Sequence, residues 1–270
     1  MSRSVLLIGC GNMGYAMLKG WLGAEPDLDA HIVEPNESLR SRASDLGALA
    51  VASAQDLPSN LEPELVFLAV KPQAMAQVVP DYVRYAGGPA SFVSVAAGTT
   101  IGTLAALLPG PTPIIRCMPN TPAAIGAGML VCCANNHTRT EARAHTTELL
   151  ESSGEVAWIE DEALMDAITA VSGSGPAYVF HVIECLADAG VSVGLPAELA
   201  LKMARQTVMG AGKLAAETDT APGTLREQVT SPGGTTAAGL SVLMGQDALN
   251  HLLRRTVEAA RDRGQELSKT

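Results

Sequence analysis

The feature that most constrains this chain is a glycine pattern at residues 9–14, which follows a short apolar run. These residues read GCGNMG, which fits the spacing G-x-G-x-x-G, and a segment with helical periodicity comes next. In such a unit the first glycine permits a tight turn, the second lets backbone approach a pyrophosphate, and the third lets the helix pack on the strand. The alternative is a purely structural glycine turn. The pattern predicts that phosphates of a dinucleotide bind at a helix N-terminus, held by Gly9, Gly11, Asn12, Met13 and Gly14.

Short apolar runs alternate with helical stretches through the first part of the chain. The runs are Val5–Gly9, His31–Glu34, Leu65–Val70, Ser91–Val95 and Ile114–Met118. Continuous aliphatic runs are typical of strands buried on both faces of a parallel sheet. The helical stretches between them include Asn12–Gly23, Glu37–Gly47 and Gln73–Tyr85. Strand–helix alternation predicts a doubly wound α/β sheet of Rossmann type, which two further runs extend: Met129–Ala134 and Glu155–Ile159.

The character of the sequence changes after about residue 162, where strand patterns give way to alanine-rich helical ones. We predict a dinucleotide-binding domain over residues 1–162 and an all-α domain over 163–270. Proline and glycine positions indicate the helix ends: a helix from Pro176 to Gly190, one from Pro196 to about Glu217, a shorter one from Pro222, and a last one over Asp247–Leu267. Because so small a bundle carries this much apolar surface, we expect it to bury part of that surface against a second copy.

Composition excludes several classes of function. The chain has 270 residues and a net charge of −10, and only 3% of its residues are aromatic. A polyanion is repelled by that charge, and few rings are present for base stacking, so nucleic-acid binding is not expected. No apolar run approaches the ~20 residues that cross a bilayer, and the first strand begins too early for a signal peptide. We therefore expect a cytoplasmic protein.

The cysteines and histidines do not indicate a metal site. The five cysteines are odd in number and lack framework spacing, which favours reduced and mostly buried thiols. Cys132 and Cys133 are neighbours on a predicted strand, so they face opposite sides of the sheet. No His/Cys cluster has ligand spacing. His137 and His145 are interpreted as surface residues.

Glu34 lies at the end of the second run, twenty residues beyond Gly14. An acid at this position can accept hydrogen bonds from the ribose of NAD and repels the 2′-phosphate of NADP. Arg40 and Arg42 follow closely and could compensate for a phosphate, so the sequence leaves both NADH and NADPH open. The alternative for Glu34 is a solvated acid in a turn.

Polar loops follow three more of the predicted strands, and ligands of such sheets bind beyond the carboxyl ends of the strands. The first loop contains Val70, Lys71 and Pro72, the second contains Ala97, and the third contains Asn120. In the third loop, prolines on either side of Asn120 restrict the backbone, which suits positioning of nicotinamide or substrate. The alternatives are a surface lysine at 71 and a turn-forming asparagine at 120.

Two glycine-rich segments precede helices in the second half. Ser174 lies before Pro176, where it either caps the helix or faces the substrate. The segment 231–236 reads SPGGTT, and its glycines expose backbone N–H groups just before a helix begins. Such a nest suits a carboxylate. The alternative is a helix–helix turn.

Taken together, these residues resemble those of the pyrroline-5-carboxylate reductases. The resemblance extends over nearly the whole chain: the loop 9–14, FLAVKPQ at 67–73, SVAAG at 94–98, RCMPNTPA at 116–123, VSGSGPAY at 171–178, and Leu225–Leu240 with its SPGGTT core. It implies a Rossmann domain, an all-α dimerisation domain that interlocks with a second copy, and in many members a decamer. It also implies NADPH or NADH as cofactor and reduction of Δ1-pyrroline-5-carboxylate to L-proline.

The resemblance also implies roles for particular residues. Thr236 matches the threonine whose hydroxyl meets the ring nitrogen of the substrate. Ser231, Gly234 and Thr235 match the loop that holds its carboxylate, and Asn120 and Ala97 match positions near the ribose and nicotinamide. Two positions depart from the family: Asp219 replaces a common glutamate, and Glu34 replaces a small polar residue.

Two rival functions are open at this point. A hydroxyacid dehydrogenase of similar architecture places a catalytic lysine on the helix that follows the second glycine loop, but here that helix begins PAYVFHVI and has none. A non-catalytic dinucleotide-binding regulator requires the first glycine loop but not an intact loop at 231–236. The presence of both loops favours an enzyme.

Overall fold

Residues 3–173 form an eight-stranded sheet with helices on its faces. The structure is a computed structural model that describes residues 3–267. The strands are β1 (Ser4–Ile8), β2 (Asp29–Val33), β3 (Leu49–Val51), β4 (Leu65–Leu68), β5 (Ser91–Ser94), β6 (Ile114–Met118), β7 (Gly128–Ala134) and β8 (Gly154–Trp158). Their order in the sheet is β3-β2-β1-β4-β5-β6-β7-β8. The first six are parallel, β7 is antiparallel to β6, and β8 is parallel to β7.

This order confirms the predicted Rossmann-type sheet. The order 3-2-1-4-5-6 reverses between β1 and β4, and ligands of such sheets bind in the crevice at that reversal. Two clusters of buried side chains cover the two faces of the sheet. Successive strand residues point to opposite faces, so a strand buried on both sides must be apolar throughout. In β4, for example, every residue is fully buried.

The helices of the first unit are α1 (Asn12–Ala24), α2 (Glu37–Ser44), α3 (Met75–Val78), α4 (Ile101–Leu107), α5 (Thr140–Glu151) and α6 (Met165–Ile168). The predicted helix over Gln73–Tyr85 is wrong for most of its length. Only α3 is α-helical there, and Val79–Tyr85 forms a 3₁₀ helix. Pro80 explains the change, because it has no N–H group to donate the backbone hydrogen bond that continues an α-helix.

The helices of the second half are α7 (Gly175–Ser192), α8 (Ala197–Ala216), α9 (Pro222–Gln228), α10 (Thr235–Met244) and α11 (Ala248–Leu267). All four predicted helices are therefore confirmed. Gly190 does not end its helix but lies within it, where a Cβ atom would lie 3.1 Å from the Cβ of Ala200. This glycine lets α7 and α8 approach closely.

The chain divides into two compact units, and each is described separately. The first runs to Gly173 and also includes the chain from Arg261, whereas the second is Ser174–Ala260. These units are defined by their compactness, and their limits need not coincide with those of functional domains. The boundary at residues 162/163 therefore stays a prediction. Within the described residues, no helix is long and apolar enough to cross a membrane.

Candidate active site

The glycine loop after β1 has the geometry that its spacing predicts. Gly9 has φ +89°, a left-handed conformation that favours glycine. A Cβ atom on Gly14 would overlap the carbonyl oxygen of Gly9, so α1 packs on the loop only because residue 14 is glycine. A Cβ atom on Gly11 would meet nothing within 4 Å, which leaves space beside the backbone for a ligand. The three glycines therefore provide what a pyrophosphate site requires: a tight turn, space beside the backbone for the phosphates, and close packing of the helix on the loop.

The N-terminus of α1 offers backbone donors beside this space. Its first intrahelical hydrogen bond runs from the Tyr15 N–H to the Gly11 carbonyl, over 2.9 Å. The N–H groups of Asn12, Met13 and Gly14 precede that bond and have no acceptor within the helix, which makes this end a site for anions. A cavity of about 440 Å³ adjoins the helix, and it is lined by Asn12, Met13, Tyr15, Ala16, Lys19, Arg42, Thr121 and Ala124.

Glu34 is buried and bound to the glycine loop. Its Oε2 atom accepts a hydrogen bond from the Cys10 N–H over 2.7 Å, and its Oε1 atom accepts one from the Asn36 N–H over 2.9 Å. The interpretation as a solvated acid is therefore wrong, since only 8% of the residue is exposed. Burial and then the charge of Glu34 raise the pKa of the Cys10 thiol to about 11, so this thiol is neutral at physiological pH.

The loop after β4 touches the glycine loop. A Cβ atom on Gly9 would lie 2.9 Å from the carbonyl oxygen of Ala69 and 3.0 Å from the Cγ1 atom of Val70. Lys71 and Pro72 follow and are exposed. Ala97, beyond β5, is exposed in a turn. The predicted cofactor residues thus all lie at the carboxyl ends of parallel strands, where this class of sheet binds its ligands.

Asn120 has both ends of its side-chain amide bound to the protein. The Nδ2 atom donates to the Ser172 carbonyl over 3.2 Å and lies 3.3 Å from the Ser172 Oγ atom, while Oδ1 accepts from the Met129 N–H over 3.0 Å. Ser172 belongs to a π-helical turn, Thr169–Gly173, a structure that is rare and frequent at functional sites. Asn120 therefore fixes the loop after β6 against this turn, a role that the sequence did not predict.

An ion pair between a buried arginine and a partly exposed glutamate joins further segments at the same edge of the sheet. Arg116 Nη1 donates to Glu162 Oε1 over 2.9 Å, and the same oxygen accepts from the Ile101 N–H over 2.9 Å. Only 4% of the Arg116 side chain is exposed. The pair ties β6 to the start of α4 and to the segment after β8. Sequence patterns did not predict this pair, because no local pattern connects residues 46 positions apart.

The predicted substrate loop lies in the second unit. Gly233 has φ +71°, and the Gly234 N–H donates to the Ser231 carbonyl over 3.0 Å. The helix α10 begins at Thr235, and its first bond runs from the Ala238 N–H to the Gly234 carbonyl. Thr235 and Thr236 are exposed in its first turn, where N–H groups lack intrahelical acceptors. The four predicted residues of this loop therefore lie together at one helix N-terminus: Ser231, Gly234, Thr235 and Thr236.

Two further predicted residues also lie in the second unit. Ser174 precedes α7 with helical backbone angles and makes no side-chain hydrogen bond to cap it, so the capping interpretation is wrong. Asp219 is exposed in the bend between α8 and α9. Among residues 3–267, no three His, Cys, Asp or Glu side chains are grouped as metal ligands would be.

Four of the five cysteines are buried, as expected, and Cys185 is exposed. Cys132 lies on β7 opposite Cys117 of β6. The interpretation of His145 as a surface residue is wrong, because only 5% of it is exposed, whereas His137 is exposed. His145 lies on the inner side of α5, and local helical periodicity did not identify that side.

Comparison with known proteins assigns both parts of the chain to described families. Residues 162–267 match the family described as pyrroline-5-carboxylate reductase dimerisation, and residues 4–98 match the family described as NADP oxidoreductase, coenzyme F420-dependent. A pyrroline-5-carboxylate reductase of Haemophilus influenzae is 37% identical over 267 residues, which cover 98% of this chain and 97% of that protein.

Solved structures give the same result. A pyrroline-5-carboxylate reductase from Coxiella burnetii matches with a TM-score of 0.94 and 30% identity, with 100% of both chains covered. The pyrroline carboxylate reductase of Plasmodium falciparum, solved with NADP bound, matches with a TM-score of 0.82 and 28% identity over 98% of each chain.

Proposed function

The chain belongs to the pyrroline-5-carboxylate reductase family, and we infer that it reduces the C=N bond of Δ1-pyrroline-5-carboxylate with NAD(P)H to give L-proline, the last step of proline biosynthesis. The observation that carries this function is the similarity of nearly the whole chain to a reductase, together with the presence of both glycine loops in this chain. A regulator that only binds dinucleotide has no need of the loop at 231–236. The helix α7 also lacks the lysine that a hydroxyacid dehydrogenase uses.

We propose that the cofactor is held at the edge formed by β1, β2, β4, β5 and β6. Gly9, Gly11 and Gly14 shape the loop, and the first N–H groups of α1 face the phosphates. The other proposed contacts come from Asn12, Met13, Glu34, Val70, Lys71, Pro72, Ala97 and Asn120. When bound, the nicotinamide supplies the hydride that reduces the imine carbon.

We propose that the substrate carboxylate binds at the N-terminus of α10. Ser231, Gly234 and Thr235 surround backbone N–H groups that lack intrahelical acceptors, and the helix dipole favours an anion there. Ser174 is a further proposed substrate contact. Thr236 would hydrogen-bond the ring nitrogen and thereby orient the imine. A hydroxyl is a poor acid, so solvent supplies the proton and the threonine contributes position.

The second unit supports a proposal about assembly. The helix α10 contains neither a charged residue nor a buried one, and the family whose model it matches is described as a dimerisation domain. We propose a homodimer formed through the C-terminal helices, with a decamer as the further assembly. A cytoplasmic location and the absence of a nucleic-acid partner also stay proposals.

The reaction is tested by adding Δ1-pyrroline-5-carboxylate with NADH or NADPH and measuring proline and oxidised cofactor together. We expect equal amounts of both products. Cofactor binding without any proline would contradict the function and favour the regulator.

The role of Thr236 is tested by the Thr236→Ala variant, for which we expect kcat to fall about 100-fold through misplacement of the imine. Thr256→Ala is the matched control, since that hydroxyl donates to the Leu252 carbonyl of its own helix. Unchanged turnover of Thr236→Ala across roughly pH 6–9 would overturn the role of this hydroxyl.

A further inference from the structure

The carboxylate of Glu34 is fixed in one position. Both of its oxygens accept backbone hydrogen bonds, one from Cys10 in the glycine loop and one from Asn36. Only 8% of the residue is exposed. Rotation of this side chain away from the loop would leave the buried Cys10 N–H without its acceptor, which is costly. Glu34 is therefore part of the wall of the proposed cofactor site, and a nucleotide that binds there contacts the carboxylate in this fixed position.

The place of this carboxylate in the fold defines what it meets. Glu34 directly follows β2, which pairs with β1 in the sheet, and the end of β2 is where this class of fold binds the ribose that carries the 2′-position. Each carboxylate oxygen can accept more than one hydrogen bond, so both remain able to accept from ribose hydroxyls. A 2′-phosphate would instead bring a second anion to a carboxylate that is poorly screened by water.

The two nearby arginines do not offset this charge in a phosphate-binding arrangement. Arg40 Nη1 donates to the carbonyl oxygens of Glu34 and Pro35 over 2.9 and 3.0 Å. The guanidinium of Arg42 lies 4.0 Å from the centre of the Tyr15 ring. These contacts fix the position of each guanidinium, and neither arginine is paired with the Glu34 carboxylate in the described structure.

We propose that Glu34 selects NADH against NADPH in this protein. The inference rests on the proposed function for the identity of the cofactor site, and it distinguishes this chain from the Plasmodium relative that was solved with NADP bound. Ribose hydroxyls donate to the carboxylate in NADH, and the 2′-phosphate of NADPH is excluded by the same group.

The test is binding rather than turnover. The full-length protein is titrated with NADH and with NADPH, and the dissociation constants are obtained from nicotinamide fluorescence. Because like charges at close range are strongly unfavourable, we expect NADH to bind about 100-fold more tightly. Equal affinities, or tighter binding of NADPH, would overturn the proposal.

Two variants locate the effect. Glu34→Gln keeps the shape of the side chain and removes its charge, so the preference should shrink at least about tenfold, mainly through tighter NADPH binding. Glu37→Gln is the matched control: it makes the same change three residues away, at an exposed position that begins α2. An equal shift in both variants, or none in Glu34→Gln, would overturn the role of Glu34.

A measurement on the unaltered protein keeps the proposal falsifiable if Glu34→Gln does not fold. Adenosine 5′-monophosphate should displace NADH more effectively than adenosine 2′,5′-bisphosphate, and the reverse order would overturn the proposal. The two hypotheses fail differently. Binding of NADH without proline formation removes the reductase function only, whereas proline formation with a preference for NADPH removes the role of Glu34 only.

Discussion

The two units of this chain bury their apolar side chains to different extents. In the first unit, Trp21 and Phe67 are fully buried and pack with ring centroids 4.5 Å apart. In the second, the buried apolar side chains among the described residues are Ala187, Ala200 and Ala204. Large apolar residues lie exposed there, such as Phe180 at 58% and Val242 at 75%. The first unit buries its own core, whereas the second presents an apolar surface that a partner copy would cover.

The largest effect is expected from removing one phenylalanine in each unit. Phe67→Ala should lower the free energy of unfolding by about 3–5 kcal/mol, because it leaves a cavity in a packed core. Phe180→Ala should lower the free energy of unfolding by less. Its effect should increase with protein concentration, because dimer formation then contributes to stability. Denaturant unfolding at several protein concentrations measures both. A concentration-independent loss of equal size in both variants would contradict the comparison.

A charge on the exposed surface tests whether a partner covers it. Val242→Glu should weaken dimerisation about 100-fold, because it places an unpaired charge in the proposed interface. Val83→Glu makes the same change on an exposed valine of the first unit and should leave the dimer intact. Sedimentation over a dilution series measures the dimer constant. A Val242→Glu protein that remains fully dimeric would place the interface elsewhere.

In the first unit, the packing of α1 on the glycine loop depends on close backbone contact rather than on large side chains. Gly14→Ala should weaken dinucleotide binding at least about tenfold, because its Cβ atom would overlap the Gly9 carbonyl oxygen. Gly23→Ala lies on the same helix with open space around it, so it should leave binding unchanged and stabilise α1 by roughly 0.5–1 kcal/mol. Fluorescence titration and thermal unfolding measure the two effects. Equal losses would show that α1 does not depend on this contact.

The smallest effect concerns His145. Burial lowers its pKa, although Glu64, whose Oε2 atom is 3.0 Å from Nδ1, acts in the opposite direction. As the pH falls below about 6.5, the unfolded chain takes up a proton before the folded one, so the folded state loses stability until its own lower pKa is passed. His145→Gln should flatten this dependence by at most about 1 kcal/mol. His137→Gln is the exposed control, and an identical change in that variant would contradict the assignment.

The sequence predicted most of the elements but few of the contacts between them. Short apolar runs such as Ile114–Met118 and the proline-bounded helices of the second half are recognisable because local periodicity and chain stiffness define them. The strand β3, of three residues, is too short to carry a period. The sequence also placed the candidate cofactor residues on loops that follow strand ends, which is where ligands bind in this fold.

The contacts that fix the site could not be predicted in the same way. The bond from Cys10 to Glu34 spans 24 residues, and the bond from Asn120 to Ser172 spans 52. Such pairs depend on how the sheet aligns distant loops, and no local pattern records that alignment. For the same reason, the sequence left a solvated turn open as an alternative to a ribose contact at Glu34, and the hydrogen bonds of this buried side chain exclude the solvated turn.

Transfer of a hydride from a nicotinamide to the imine carbon of Δ1-pyrroline-5-carboxylate is the step on which the proposed function depends. The most direct measurement uses NADH deuterated at the transferring position and determines the isotope content of the proline that forms. We expect proline with a single deuterium on its δ-carbon, in an amount equal to the cofactor oxidised. Proline without deuterium, or oxidised cofactor without proline, would contradict this step.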